Sequence, residues 1–478
     1  MNYRMIRNIL GCVLLFEAAF LLFPALVALI FHEQAGFSYL AASGISLAVG
    51  ALFLVGKAKN RVLFSRDGLV IASLSWILLS LFGAVPLWLT REIPSFVDAL
   101  FESASGFTTT GATILTNVEQ LSHASVFWRS FTHWVGGMGI LVFMMAFLPL
   151  SGGQNMHIMR AESPGPSVSK LVPRVRTTAL LLYLIYIVLT LVELVALLIG
   201  KMEFFDALNT ALATAGTGGF GFRNDSFASF APHLQWIVAV FMALFSINFA
   251  SYFFLIHGRI KEFFNKEARV FFCLLFGATA LIAWNIRAAC GSVEEAARNA
   301  FFTVSSVMST TGFTTADFNL WPEFSKTLLV ILMFGGACAG STCGGMKLSR
   351  IVILFKGLAR ECRAAIHPKQ VKRVTVDGRP VEEGVVRSVF IYTFCLCAVL
   401  LTSVLLISTD GADFTTNFTA VVTTLNNVGP GLNLVGPSGN FAFFSDFSKC
   451  VLIFDMLAGR LELFPMLLLF YPRTWKRH

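Results

Sequence analysis

Ten stretches of this 478-residue sequence are apolar enough and long enough to cross a hydrocarbon layer, and that decides most of what the chain can fold into. A spanning helix needs about 20 mostly apolar residues. The stretches are Ile9–Phe31, Tyr39–Val55, Gly68–Leu89, Ser125–Leu150, Thr177–Ile199, Leu234–Ile256, Val270–Ile286, Ser325–Phe355, Ser388–Ser408 and Cys450–Phe470. Composition agrees: 13% of the residues are charged and 56% hydrophobic, whereas soluble domains carry about 25% charged residues. A soluble enzyme, a secreted disulfide scaffold and a disordered chain are therefore poor readings. The first stretch follows Arg4 and Arg7, as a leader peptide would. Its apolar run is too long for one, and the His32-Glu33-Gln34 exit shows no small-residue cleavage pattern, so a retained first span is expected. The nine cysteines are odd in number, sit mostly in apolar runs and match no zinc or disulfide spacing.

Basic residues orient the spans. Lys57, Lys59, Arg61 and Arg66 follow the second, Arg160, Lys170, Arg174 and Arg176 the fourth, and Arg259, Lys261, Lys266 and Arg269 the sixth. Lys356, Arg360, Arg363, Lys369, Lys372, Arg373 and Arg379 follow the eighth, and Arg473, Lys476 and Arg477 close the tail. The even junctions and both termini are thus expected on the cytoplasmic side. The net charge of +9 reports that asymmetry and not nucleic-acid binding.

Four outer connections are too long and too apolar for plain loops. Each reads as a short helix ending at a glycine turn: Asp98 to Gly111, Asp206 to Gly219, Asn299 to Gly312 and Thr416 to Gly429, always 13 residues. The glycines lie 108, 93 and 117 residues apart, with one span after each turn and one before the next short helix. The repeating unit is span–short helix–turn–span. Irregular backbone at membrane depth is tolerated only where protein buries it or water reaches it. Four such turns can surround one axis, aim carbonyl oxygens inward and replace the water shell of a cation. The expected fold is an all-α integral membrane protein, with four span–pore-loop–span repeats around one pseudo-fourfold pore axis, preceded by two extra transmembrane helices. The expected divisions are 1–66 (two helices), 67–150, 151–256 and 257–355 (repeats one to three), 356–387 (basic cytoplasmic linker) and 388–478 (repeat four).

The motifs Thr109-Thr110-Gly111, Thr217-Gly218-Gly219, Thr310-Thr311-Gly312 and Asn427-Val428-Gly429 resemble the Trk/Ktr/HKT superfamily of cation transporters. The two extra spans and the run from Trp128 to Gly139 (WRSFTHWVGGMG) resemble its bacterial TrkH branch, over essentially the whole chain. The resemblance implies channel-like potassium uptake across the inner membrane, with those twelve residues as a selectivity filter and potassium as substrate. In that family serine at the first filter position accompanies sodium selectivity, and Gly111 favours potassium. The residue after the glycine departs from fourfold symmetry: Phe220 and Phe313, but Ala112 and Pro430. The resemblance also implies a homodimer docked on cytosolic, nucleotide-binding Trk A-type subunits. No other cofactor is expected.

Gly335, Gly336, Gly340, Gly344 and Gly345 crowd the second span of repeat three. Such a run makes a poor helix, each glycine costing about 1 kcal/mol relative to alanine. It reads either as close helix packing or as a broken helix whose loop lies across the pore, and the resemblance implies an intramembrane gating loop here. Arg460 lies in the middle of the last span, where a charge normally faces a cavity or a partner. It reads as a barrier and latch beneath the filter, a role the resemblance gives to an arginine at the matching position, or as a partner of Asp455 or Glu462. Lys347 reads equally as a cytoplasmic-end anchor or a second pore cation. Glu17 and Glu193 read as packed groups.

An alternative mechanism is potassium symport with protons or sodium, for which Glu17, Glu193 and Asp455 could relay protons. An enzyme is not expected: the eight histidines are scattered, with no His-Glu-x-x-His cluster and no Walker motif. The basic segment Lys356–Arg387 reads either as a topology signal touching anionic membrane lipid or as a docking site for the regulatory subunit.

Overall fold

The computed structural model describes residues 1–56, 63–139, 175–367 and 373–475. Lys57, Lys59, Arg61, Arg160, Lys170, Arg174, Lys369, Lys372, Lys476 and Arg477 lie outside these residues, as does the second half of the expected span Ser125–Leu150. Among the described residues six helical stretches are long and apolar enough to cross a membrane: Tyr3–Ile30, Ala35–Leu54, Ser65–Leu89, Thr177–Ile199, Lys266–Ile286 and Glu383–Asp410. Strand is confined among them to the pair Thr375–Val376 and Arg379–Pro380. Exposed Leu184, Leu191 and Val195 on one long helix make the apolar face that a bilayer solvates. The chain is a multi-pass, all-α membrane protein.

The first two spans form the extra N-terminal pair, and the other four each open a repeat. A short helix follows each: Phe96–Phe107, Phe204–Gly216, Val293–Met308 and Phe414–Leu425. Capping residues set three of their starts. Ser95 accepts from Asp98 N–H (3.4 Å), Ser292 from Glu295 N–H (3.1 Å) and Asp413 from Thr416 N–H (3.1 Å). Each cap satisfies one of the N–H groups a helix start leaves open.

The expectation of ten continuous spans needs correction in the second halves of repeats two to four. Their helices run Pro232–Phe245, Glu323–Gly335 and Asp446–Arg460, and each then stops, while the described helix of repeat one is His123–Met138. Pro232–Phe245 turns by 94° into Phe249–Ile256. Glu323–Gly335 gives way to an irregular segment before Leu348–Ile366. Asp446–Arg460 breaks at Glu462 and Leu463, both at positive φ, before Phe464–Leu469. Mean hydropathy carries no sign of these breaks, because a broken span keeps the composition of a whole one. Local chemistry does: Asn248 accepts from Ala250 N–H (2.8 Å) and restarts the second helix.

Candidate functional site

The short helices end at the four motif turns, and the turns share one backbone path. Thr109, Thr217, Thr310 and Asn427 have φ of 55°, 54°, 56° and 54°, and Gly111, Gly219, Gly312 and Gly429 have φ of 78°, 75°, 89° and 97°. Only glycine takes the second conformation without strain. The glycines also face one another in a cycle. A Cβ on Gly111 would come within 3.0 Å of the carbonyl oxygen of Gly218; Gly219 meets that of Thr311 in the same way, Gly312 that of Val428, and Gly429 that of Thr110. Repeat one therefore abuts two, two abuts three, three abuts four, and four closes on one. Asn427 reinforces the closing contact by donating to Thr110 Oγ1 (2.9 Å). On the motif side of the ring, Gly111, Gly219, Gly312 and Gly429 line a polar cavity of about 180 Å³.

Beneath the turns lies the glycine-rich segment, with Gly336, Gly340 and Gly345 at positive φ. Its irregular backbone is paired by neighbours, as membrane depth demands. Cys338 N–H donates to Ser246 O (3.1 Å), and Phe249 N–H donates to Gly340 O (3.0 Å), so the bend of the second repeat completes the segment. Gly344 N–H donates to Thr310 Oγ1 (2.7 Å), a direct bond from segment to ring. Arg460 donates to Thr342 O (2.6 Å) and to Gly136 O and Gly137 O (2.6 and 2.5 Å). Lys347 is 1% exposed and donates to Cys343 O. Gly340, Gly344, Gly345, Lys347 and Arg460 line one cavity of about 60 Å³, and Gly335 ends the preceding helix. Glu462 pairs with Arg350, and Asp455 accepts from Ser403 (2.8 Å). Glu17 and Glu193 are fully buried.

A cyclic set of turns over a charged, irregular plug matches one known architecture. Residues 36–477 match the TrkH family model, described as "Cation transport protein". The chain belongs to this family. It is a transporter and not an enzyme. It is 37% identical to the Trk system potassium uptake protein TrkH of Escherichia coli K12 and 36% identical to that of Halomonas elongata, each over 100% of both chains. The crystal structure of the potassium transporter TrkH from Vibrio parahaemolyticus superposes with a TM-score of 0.89, at 34% identity and full coverage of both chains.

Four groups in this TrkH-family chain were not singled out by the sequence. Glu102 and Arg129 form an ion pair (2.8 Å) behind the first turn, exposed by no more than 2% at either side chain. Such a pair is held only where further bonds satisfy both partners. Glu102 also accepts from Thr113 Oγ1 (3.0 Å) and Ile114 N–H (3.2 Å), and Arg129 donates to Gly221 O (3.1 Å). Glu33 accepts from His123 N–H (2.8 Å) and Ala124 N–H (3.2 Å) at a helix start, tying the N-terminal pair to the first repeat. Glu267 accepts from Ala339 N–H (2.8 Å) and Ser349 N–H (2.9 Å), stapling both limbs of the glycine-rich segment. The local signals were faint: Glu33 reads as a loop residue and Glu267 as part of a basic junction. Their partners lie 72 or more residues away.

Proposed function

We propose that the chain is a channel-like potassium-uptake protein of the bacterial inner membrane, with both termini in the cytoplasm. The observation that carries this reading is the cyclic closure of the four glycine turns. Thr109, Thr110, Gly111, Thr217, Gly218, Gly219, Thr310, Thr311, Gly312, Asn427, Val428 and Gly429 form the filter. Their carbonyl oxygens replace the hydration shell of a dehydrated potassium ion. The C-terminal ends of the four short helices add negative dipole ends around the same axis.

Below the filter, the segment containing Gly335, Gly336, Gly340, Gly344 and Gly345 acts as the gate. Lys347 and Arg460 place positive charge on the ion path, and Arg460 latches the gate through Thr342 O. Opening requires that latch to release. The channel-like reading is preferred over proton- or sodium-coupled symport because Glu17, Glu193 and Asp455 line neither cavity on the axis. Potassium flux that stops without a second ion gradient would favour symport. The relatives' names place them in a Trk system, which supports association with other Trk components; in our reading a cytosolic, nucleotide-binding Trk A-type subunit docks on a homodimer of this chain, and co-purification of the two with sizing of the complex tests this. Rubidium uptake in uptake-deficient cells tests the transport reading. Gly111→Ser is expected to lose discrimination against sodium and Arg460→Ala to change flux. If both variants transport as the unaltered chain does, the filter-and-gate reading falls.

A further inference from the structure

The four turns differ at their middle residue. Thr110, Thr311 and Val428 carry side chains, whereas the second turn has Gly218. Gly218 has no need of glycine on conformational grounds, since it is absent from the positive-φ residues of the ring. Its missing side chain leaves room for another group. A Cβ there would lie within 3.0 Å of Cγ, Nδ1 and Cδ2 of His133.

His133 comes from the helix His123–Met138 of the first repeat. Gly136 of that helix and Gly459 of the fourth repeat's helix pack alike. A Cβ on either would fall within 3.0 Å of the carbonyl oxygen four residues before the motif glycine, at Phe107 and Leu425 respectively. Counting back three residues from each, His133 is the counterpart of Met456. An imidazole stands where the fourth repeat has a thioether.

The imidazole is fully engaged. Phe220 N–H, directly after Gly219, donates to Nε2 (3.2 Å), so Nε2 carries a lone pair. Nδ1 therefore carries the proton and donates to Gly106 O (2.7 Å), in the last turn of the first short helix. The ring packs on Phe220 with centroids 4.3 Å apart, and the Arg129 guanidinium lies 4.0 Å from the other ring's centre. One neutral side chain thus joins the end of the first short helix to the second turn.

We propose that His133 is a positioning residue of the ion ring: it fills the place of the side chain that Gly218 lacks, fixes the second turn relative to the first, and so sets discrimination between potassium and sodium. The inference rests on reading the ring as the filter, so its test includes Gly111→Ser as a reference. Rubidium uptake with and without competing sodium is measured for the unaltered chain and for Gly111→Ser, His133→Leu, His133→Gln and Gly218→Ala. His133→Leu keeps bulk but loses both hydrogen bonds, and discrimination is expected to fall by about tenfold, the scale of one buried polar pair left unmade. His133→Gln, which keeps one donor and one acceptor, is expected to stay within about threefold of the unaltered chain. Gly218→Ala drives a methyl into the ring and is expected to fall in the same sense as His133→Leu.

Unchanged discrimination in His133→Leu, with Gly111→Ser impaired, overturns the role of His133 and leaves the filter intact. Unchanged discrimination in Gly111→Ser overturns the filter reading itself. If His133→Leu does not accumulate in the membrane, Gly218→Ala decides, because both partners of the imidazole survive in it. An unaltered ratio there also overturns the proposal.

Discussion

The ring of turns and the layer beneath it are built from the same four repeats on opposite plans. In the ring all four repeats place a left-handed residue first and a positive-φ glycine third, and each glycine abuts the next repeat's carbonyl. In the layer below, repeats two to four share only the fact of a break. The second repeat bends at Ser246, the third opens into the glycine-rich segment, and the fourth supplies Arg460. Symmetry suits a site that surrounds one small cation, because each repeat must offer oxygen at the same height. A gate has no such requirement. In the gate proposed above, a segment contributed by one repeat and held by Arg460 needs that repeat to differ from the rest. The glycine-rich segment bonds directly to the ring from Gly344 N–H to Thr310 Oγ1.

Breaking the symmetric layer should have the largest effect. Serine at Gly219, Gly312 or Gly429 forces a side chain into positive φ and against a neighbouring carbonyl oxygen. Strain of this kind costs roughly 1–3 kcal/mol, and preference for rubidium over sodium should fall about 10- to 100-fold at each position. A position that tolerated serine would break the cyclic equivalence. The asymmetric layer should respond in rate and not in selectivity. Arg460→Ala, or removal of part of 337–344, is expected to raise rubidium flux by about tenfold, since a half-buried arginine and its three carbonyl bonds are lost together. Reduced flux with normal accumulation would contradict the latch. Thr310→Val probes the junction. It leaves the buried Gly344 N–H without its acceptor, at about 1–3 kcal/mol, and should raise flux a few-fold with a smaller change in selectivity.

The smallest effect belongs to the rim. Asp413→Ala removes the cap of the fourth short helix and should lower stability by about 1 kcal/mol in a thermal melt, with selectivity unchanged. The Thr416 hydroxyl holds the Asp413 carboxyl below its usual range. Its contribution is therefore present above the unfolded-state pKa of about 3.9 and is lost as pH falls through the lower folded value. The melting difference between Asp413→Asn and the unaltered chain should shrink as pH falls through that lowered value and vanish below it.

The symmetric layer was the more legible of the two. Each turn is local, so a threonine or asparagine two residues before a glycine, 13 residues from the short helix's start, places its path in one stretch of sequence. The glycine-rich segment was legible as weak helix, but what completes it was not. Glu267 and Ser246 reach it from 72 or more residues away, and nothing local marks either as a partner. Leu234–Ile256 reads as one span, because Ser246-Ile247-Asn248 barely lowers its mean hydropathy, yet Asn248 is a good helix start. Lys347 stood evenly between a cytoplasmic-end anchor and a second pore cation. Its burial beside Arg460 puts it in the cavity under the ring. His133 was visible only as part of a family-like run, since its role depends on a side chain absent from a glycine 85 residues later.

The central claim is that the four glycine turns act as one potassium-selective ring. The most direct test is rubidium uptake by Gly111→Ser in uptake-deficient cells, measured against rising sodium. The account predicts that sodium inhibits the variant at about tenfold or more lower concentration than the unaltered chain, with comparable protein in the membrane. Superimposable sodium-inhibition curves for the two would contradict it.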